Sequence, residues 1–511
     1  MLLKASLLVL FFAVMLAIGF ACRGHAKDVD GFVLGGRKVG PWLTAFAYGT
    51  SYFSAVVFVG YAGQFGWKFG LSATWAGIGN AVLGSLLAWF VLGRRTRIMT
   101  QRYKSATMPQ YFGARFNSPA LKIVASMIVF VFLIPYTASL YNGLSRLFGM
   151  AFSIDYSVCI VIMSVLTAIY VIAGGYMATA VNDFIQGLVM LVGIVAVICA
   201  ILASKGGLLA ALDGLAKVPG PAVTGVAGAS TPGVFASFFG PDPLSLLFVV
   251  ILTSLGTWGL PQMVQKFYAI KDAEAIERGT VISTVFALVV AGGCYFLGGF
   301  GRLFADVLNV GPNGVPAGGF DAIIPKMLEG LSPALIALVV ILVLSASMST
   351  LSSLVMTSSS TLTIDFLKGT AWKDMSEKRQ VFIMRLLIVV FVVISASIAV
   401  VQYKSEHPIA FIAQMMGVSW GALAGSFLAP FLYSLYWKRT NAASCWASFI
   451  FGTGFTVTMM VMAMVSPETL PPFLRSPVNT GAIAMLGGLV LVPAVALATG
   501  GARKRTERAA A

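Results

Sequence analysis

About thirteen apolar runs, each near the twenty residues that a helix needs to cross about 30 Å of hydrocarbon, follow one another along this chain and leave it few ways to fold. They lie at 5–22, 42–66, 72–98, 121–148, 154–174, 181–204, 243–268, 280–301, 332–364, 381–402, 408–435, 442–465 and 480–500. In lipid every backbone N–H and C=O must find its partner inside the protein, so runs of this length become helices. Charged side chains make up 10% of the 511 residues, against roughly a quarter in soluble proteins. The stretches at 205–243 and 302–331 are too short for a core of their own, although FDAIIPKML within the second predicts a short helix. The expectation is an all-α polytopic membrane protein, a single transmembrane domain over 1–511.

Charge orients it. The formal net charge is +16, and Lys and Arg in short loops stay on the cytoplasmic side. With the N-terminus outside, the internal loops collect most of the basic residues, among them Arg94, Arg95, Arg97, Lys266, Lys271, Lys378, Arg379, Lys438 and Arg439, together with the tail Arg503, Lys504, Arg505 and Arg508. The excess is an orientation signal and a contact surface for membrane lipid, not a nucleic-acid footprint. The expected location is the bacterial cytoplasmic (inner) membrane, with the C-terminus inside. The short basic tail after 500 offers no output module, and nothing calls for an obligate protein partner. Residues 1–22 read as an uncleaved first helix, since the apolar run is long for a signal peptide and no clear cleavage motif precedes Cys22. The five cysteines form no CxxC pair and read as small core residues. The two histidines, His25 and His407, fall in predicted loops, which argues against a histidine-ligated metal centre.

Against this apolar background, SASMSTLSSLVMTSSSTLT from Ser345 to Thr363 is dense in hydroxyls. Ala346, Ser349 and Thr350 are spaced i, i+3, i+4, so two hydroxyls flank one carbonyl on one helix face. Ser and Thr in membrane helices also bond back to the preceding turn or permit close packing. The clustering favours the other reading, three neutral oxygens offered to a small hard cation.

Two segments carry the residues of a helix that opens at mid-membrane: 42–66 through Gly49, Thr50 and Ser51, and 243–268 through Gly256, Gly259 and Pro261. Such interruptions, in matching positions of two inverted repeats, free backbone groups for ion and solute. They divide the chain into a first repeat at 42–204, a second at 243–435, and C-terminal helices with a basic tail at 442–511. The carbonyls of Thr50 and Phe53 at the first break, joined to Ala346, Ser349 and Thr350, are the candidate sodium ligands. Asp183, at the expected internal mouth of the sixth helix, is a candidate station on the ion path. Tyr52, Ser54, Tyr136, Thr257, Trp258 and Pro261 are candidate solute contacts, since Tyr and Trp join an apolar face to one polar handle.

YFSAVVFVGYAGQFG, AGGYMATAVNDFIQGLVMLVG and SASMSTLSS carry a resemblance to the sodium:solute symporter family over nearly the whole length. The resemblance implies a leucine-transporter-type five-plus-five inverted repeat with extra helices, sodium as the co-transported ion, and the same five residues as its ligands. FVLGGRKVGPW and the YTAS context of Tyr136 resemble the proline type. NDFIQGLVMLVG, and GLPQ followed by YAIKDAEAIERG, are more similar to the pantothenate type. Proline symporters carry an Asp where this chain has Tyr52, and aromatic residues where it has Thr253 and Thr257.

The function expected is therefore sodium-coupled import of a small organic solute, an amino acid such as proline or a monocarboxylate such as pantothenate. A proton-coupled transporter on the same fold and a transporter-like sensor subunit are the alternatives. The first lacks a mid-membrane carboxylate in the ion helices and the second an output domain. No ring of charges marks a channel, and no acid, base or metal cluster marks an enzyme.

Overall fold

The computed structural model describes residues 2–152, 155–220, 232–311, 314–404 and 412–509; His407 lies outside them. Among the described residues the chain is helical, with no β-strand beyond isolated bridges. Ten helices are long and apolar enough to cross a membrane, and Pro243–Gly259 with Pro261–Ala269 forms one further span bent by 46°. Two of the ten are double. Val56–Arg102 has 47 residues and Ser157–Ser204 has 48, each about 70 Å of helix at 1.5 Å per residue, more than twice the hydrocarbon thickness. Each breaks at a glycine with positive φ, Gly70 (φ 65°) and Gly175 (φ 58°), a backbone region that a Cβ disfavours. The sequence expectation of about thirteen passes follows from these two breaks. The short helix expected over FDAIIPKML is present as Phe320–Ala322 and Ile323–Leu328.

The helices differ in depth. The window Ser6–His25 at the first helix is only 17% buried, whereas that of Pro333–Thr370, with all the hydroxyls, is 72% buried. Every residue from Val339 to Thr361 except Ile341 is buried. This hydroxyl-rich helix, Pro333–Thr361, packs against Tyr156–Ser204, Pro119–Phe152 and Pro41–Tyr52. Ile412–Tyr436, Ala442–Val465 and Pro477–Ala509 pack on one another at the C-terminal side.

Both expected interruptions are present and alike in backbone. Pro41–Tyr52 ends at Phe53 (φ −81°, ψ 107°), and Pro243–Gly259 ends at Leu260 (φ −80°, ψ 120°) before Pro261 restarts the helix. One extended residue is enough to break the i→i+4 ladder and leave last-turn carbonyls without amides. The second half-helix of the one is tied to the first half-helix of the other. The Val39 amide donates to Ala269 O at 3.2 Å and the Lys271 amide to Val39 O at 3.0 Å. Arg97 Nε donates to Ile270 O at 3.0 Å, and its Nη2 donates to Lys271 O. Beyond this tie, Asp272 caps Ala273–Gly298 by accepting the Ala275 amide at 2.7 Å, which holds its carboxyl below the ordinary range.

Elsewhere helices meet backbone to backbone. A Cβ on Gly298 would stand 2.0 Å from Ala62 O, and one on Gly66 would stand 2.0 Å from Gly298 O. We expect Gly298→Ala to cost about 1–3 kcal/mol through overpacking, read as a lower melting temperature of the detergent-purified protein. Gly454→Ala, where a Cβ meets nothing within 4 Å, is expected not to lower it.

Candidate functional site

The break at Phe53 faces the hydroxyl-rich helix, and five oxygens converge there. Ser349 Oγ lies 3.2 Å from Thr50 O and 3.2 Å from Ala346 O. Thr350 Oγ1 lies 3.0 Å from Thr50 O, 3.4 Å from Phe53 O and 3.1 Å from Ala346 O. The back-bond to Ala346 and the contacts across to the interrupted helix are both made. Ser349, Thr350, Thr50 and Ala346 have no exposed surface, and Phe53 is 1% exposed.

A hydroxyl can donate one hydrogen. Two hydroxyls therefore have two protons for five oxygen–oxygen contacts, and the remaining lone pairs point at one another. Bare lone pairs in a buried site are costly, and a small cation among them would turn that repulsion into coordination. Carbonyl and hydroxyl oxygens are what a hard monovalent cation accepts in place of water. The structure thus brings Thr50, Phe53, Ala346, Ser349 and Thr350 to one point.

The candidate solute contacts divide. Tyr52, Ser54 and Tyr136 are buried on the first break and the helix beside it. The Tyr52 hydroxyl has no protein hydrogen-bond partner, and that of Tyr136 faces Ser54 and the Trp420 indole without closing a hydrogen bond. The Tyr136 and Trp420 rings meet edge to face at 6.0 Å. Thr257 and Trp258 have partners instead: Thr257 Oγ1 donates toward Gly84 O at 3.0 Å, and Trp258 Nε1 donates to Leu83 O at 2.9 Å. The two carbonyls belong to the π-helical turn Val82–Leu87, where Gly84 O also accepts from Tyr48 at 2.8 Å. Pro261 starts the helix after the second break.

Sequence reasoning missed Tyr61, Tyr295 and Trp420. All three are buried with polar atoms that lack protein partners. Tyr61 lies within electrostatic reach of Tyr136, and Tyr295 within reach of Tyr61, Tyr52 and Asn80. Nothing in their sequence contexts separates them from packing aromatics.

Asp183 is not at a watery helix mouth. It sits eight residues past Gly175, about 12 Å along the helix, with no exposed surface and no hydrogen bond to either carboxylate oxygen. Its ionic neighbour is Lys266 Nζ at 4.0 Å. Lys266 was expected in an internal loop, but it is 3% exposed within Pro261–Ala269. Its charge in an apolar segment was the signal, since a membrane-buried lysine requires a partner. Lys266 Nζ also donates to Ser353 Oγ at 3.0 Å, and Ser353 Oγ lies 2.8 Å from Ser51 Oγ, beside Thr50. Asp365 is a second unexpected buried acid; its Oδ2 accepts from Thr107 Oγ1 at 2.5 Å.

A profile of the sodium:solute symporter family matches residues 32–452. The osmoregulated proline transporter OpuE of Bacillus subtilis (strain 168) is 27% identical over 474 residues, 91% of this chain and 91% of that protein. A sodium/proline symporter of Staphylococcus aureus is 27% identical over 500 residues, 94% of this chain and 92% of that protein. Among solved structures, a substrate-bound, outward-open Na+-coupled sialic acid symporter superposes with a TM-score of 0.71 over 96% of this chain and 97% of that one, at 17% identity. An Eremococcus coleocola manganese transporter reaches 0.51 over 90% and 95%, at 12% identity. At these identities the structural likeness speaks for the fold, the leucine-transporter type.

The oxygen cradle predicts the effect of removing it. With Ser349→Ala and Thr350→Ala combined, the sodium concentration for half-maximal uptake is expected to rise by about ten- to a hundredfold, about 1.4–2.7 kcal/mol, and far more than that for solute. Unchanged sodium dependence in transport assays would count against these ligands.

Proposed function

The chain belongs to the sodium:solute symporter family, and on that premise we propose that it imports a small organic solute without net charge, an amino acid of the proline kind, with sodium held by Thr50, Phe53, Ala346, Ser349 and Thr350. The observation that carries the reading is the convergence of three carbonyls and two hydroxyls around too few protons, at the point where a membrane helix is interrupted. The repeats at 42–204 and 243–435 are the two bodies that rock about it. The N-terminus lies outside and the C-terminus in the cytoplasm of a bacterial inner membrane, as the basic loops require.

The solute pocket of this proposal is the group around Tyr52, Ser54, Tyr61, Tyr136, Tyr295 and Trp420, next to the ion on the same break. Phenols, an indole and a hydroxyl offer hydrogen bonds and apolar faces but no fixed charge, which suits a solute whose own charges balance. Thr257, Trp258 and Pro261 shape the opposite wall, the first two through their bonds to the π-helical turn. External sodium stabilises the form open to the outside, solute binding closes it, and both leave inward.

About 100 mV supplies roughly 2.3 kcal/mol per charge, and a tenfold sodium gradient adds about 1.4 kcal/mol. One sodium could then sustain accumulation of a neutral solute on the order of several hundred-fold. An anionic monocarboxylate such as pantothenate would cancel the electrical part with one sodium.

The test is radiolabelled uptake into proteoliposomes under an imposed sodium gradient, with competition by proline, other amino acids, short monocarboxylates and pantothenate. Uptake driven by sodium and competed by proline is the expected outcome. Uptake indifferent to sodium, or driven by a pH jump alone, would overturn it. Tyr52→Ala is expected to change the competition profile while leaving sodium dependence in place; an unaltered profile removes Tyr52 from the pocket.

A further inference from the structure

The pair Lys266 and Asp183 is a charged feature that the sodium cradle leaves unexplained. A carboxylate without hydrogen bonds is expensive inside a membrane protein, and Asp183 is fully buried with neither oxygen bonded. The ammonium of Lys266 stands 4.0 Å away. It is anchored elsewhere, to Ser353 Oγ at 3.0 Å and over the Tyr176 ring at 5.1 Å. Ser353 in turn touches Ser51 at 2.8 Å, so the ammonium sits two hydroxyls from the backbone that supplies Thr50 O to the cradle. A carboxylate and two hydroxyls grouped in this way form an oxygen set able to hold a hard cation, and the chain fills it with one of its own.

We propose that Lys266 is a tethered cation that neutralises Asp183 and keeps a second sodium out, so that each transport cycle carries a single sodium. The inference rests on the sodium reading of the cradle above and adds its stoichiometry. A cation on a side chain cannot be released to the other side of the membrane. It therefore satisfies the buried carboxylate without contributing to the driving force, and the cradle alone sets the coupling. The ion leaving the cradle toward Asp183 meets a site already compensated, which gives Asp183 the character of a passage and not a trap.

The role depends on charge and is separable from packing. Lys266→Arg keeps the charge; Lys266→Gln leaves Asp183 uncompensated; Asp183→Asn with Lys266→Gln removes both charges at nearly constant volume, a change that buried pairs often tolerate. The measurements are the ratio of radioactive sodium to solute entering proteoliposomes and, for any variant that does not transport, the number of sodium ions bound at equilibrium by the purified protein. The expected result is one sodium for the wild type, the arginine variant and the double variant, and two for Lys266→Gln, with a correspondingly steeper sodium dependence. Two sodium ions in the wild type, or one in Lys266→Gln, would overturn the role of Lys266 while leaving the cradle intact. A wild type that binds no sodium would sink the reading of the cradle and this inference with it.

Discussion

A backbone carbonyl freed inside a membrane protein must be met by a donor, a cation or the water of a cavity, because lipid offers it nothing. The single extended residue at Phe53 releases carbonyls from the helix ladder at the centre of the bundle, and much of the architecture around it can be understood as an answer to that exposure. Ser349 and Thr350 arrive from the hydroxyl-rich helix with too few hydrogens to satisfy every oxygen they face. The hydroxyl-rich helix is correspondingly buried, at every residue from Val339 to Thr361 except Ile341.

The same short stretch turns different atoms toward the oxygen cradle and toward the aromatic group. Thr50 and Phe53 turn carbonyls to the cradle, Ser51 joins the Ser353 hydroxyl on the path toward Lys266, and Tyr52 and Ser54 carry side chains to the aromatic group. Five consecutive residues cannot rearrange independently. Any movement that opens the aromatic group therefore shifts the oxygens of the cradle as well, which on the function proposed above links solute to ion. The backbone tie between Val39 and the Ala269–Lys271 turn extends this linkage to the second interrupted helix.

Local features were legible in the sequence. The spacing of Ala346, Ser349 and Thr350 is set by helix geometry alone, and glycines with Pro261 marked both interruptions to within a few residues. Asp183 was visible as an exception, but its depth was not, because the break at Gly175 lets the helix resume at once where the hydropathy pattern placed a loop. Lys266 was misassigned to a loop since its partner lies 83 positions away. Tyr61, Tyr295 and Trp420 gave no signal, as a tyrosine packed through its ring and one with an idle hydroxyl look the same along a chain.

By itself the sequence determined that this chain is a bundle of membrane helices, which two of them break, and which one carries the hydroxyls. Those are consequences of hydropathy, helix period and glycine or proline chemistry, all of which act within a few residues. Only the tertiary structure decided that the broken backbone meets the hydroxyls, that Thr257 and Trp258 turn their polar groups to Leu83 and Gly84, and that a lysine stands 4.0 Å from Asp183. Each of these contacts joins residues many turns apart, and which partners meet depends on how whole helices pack, a property that no single segment contains.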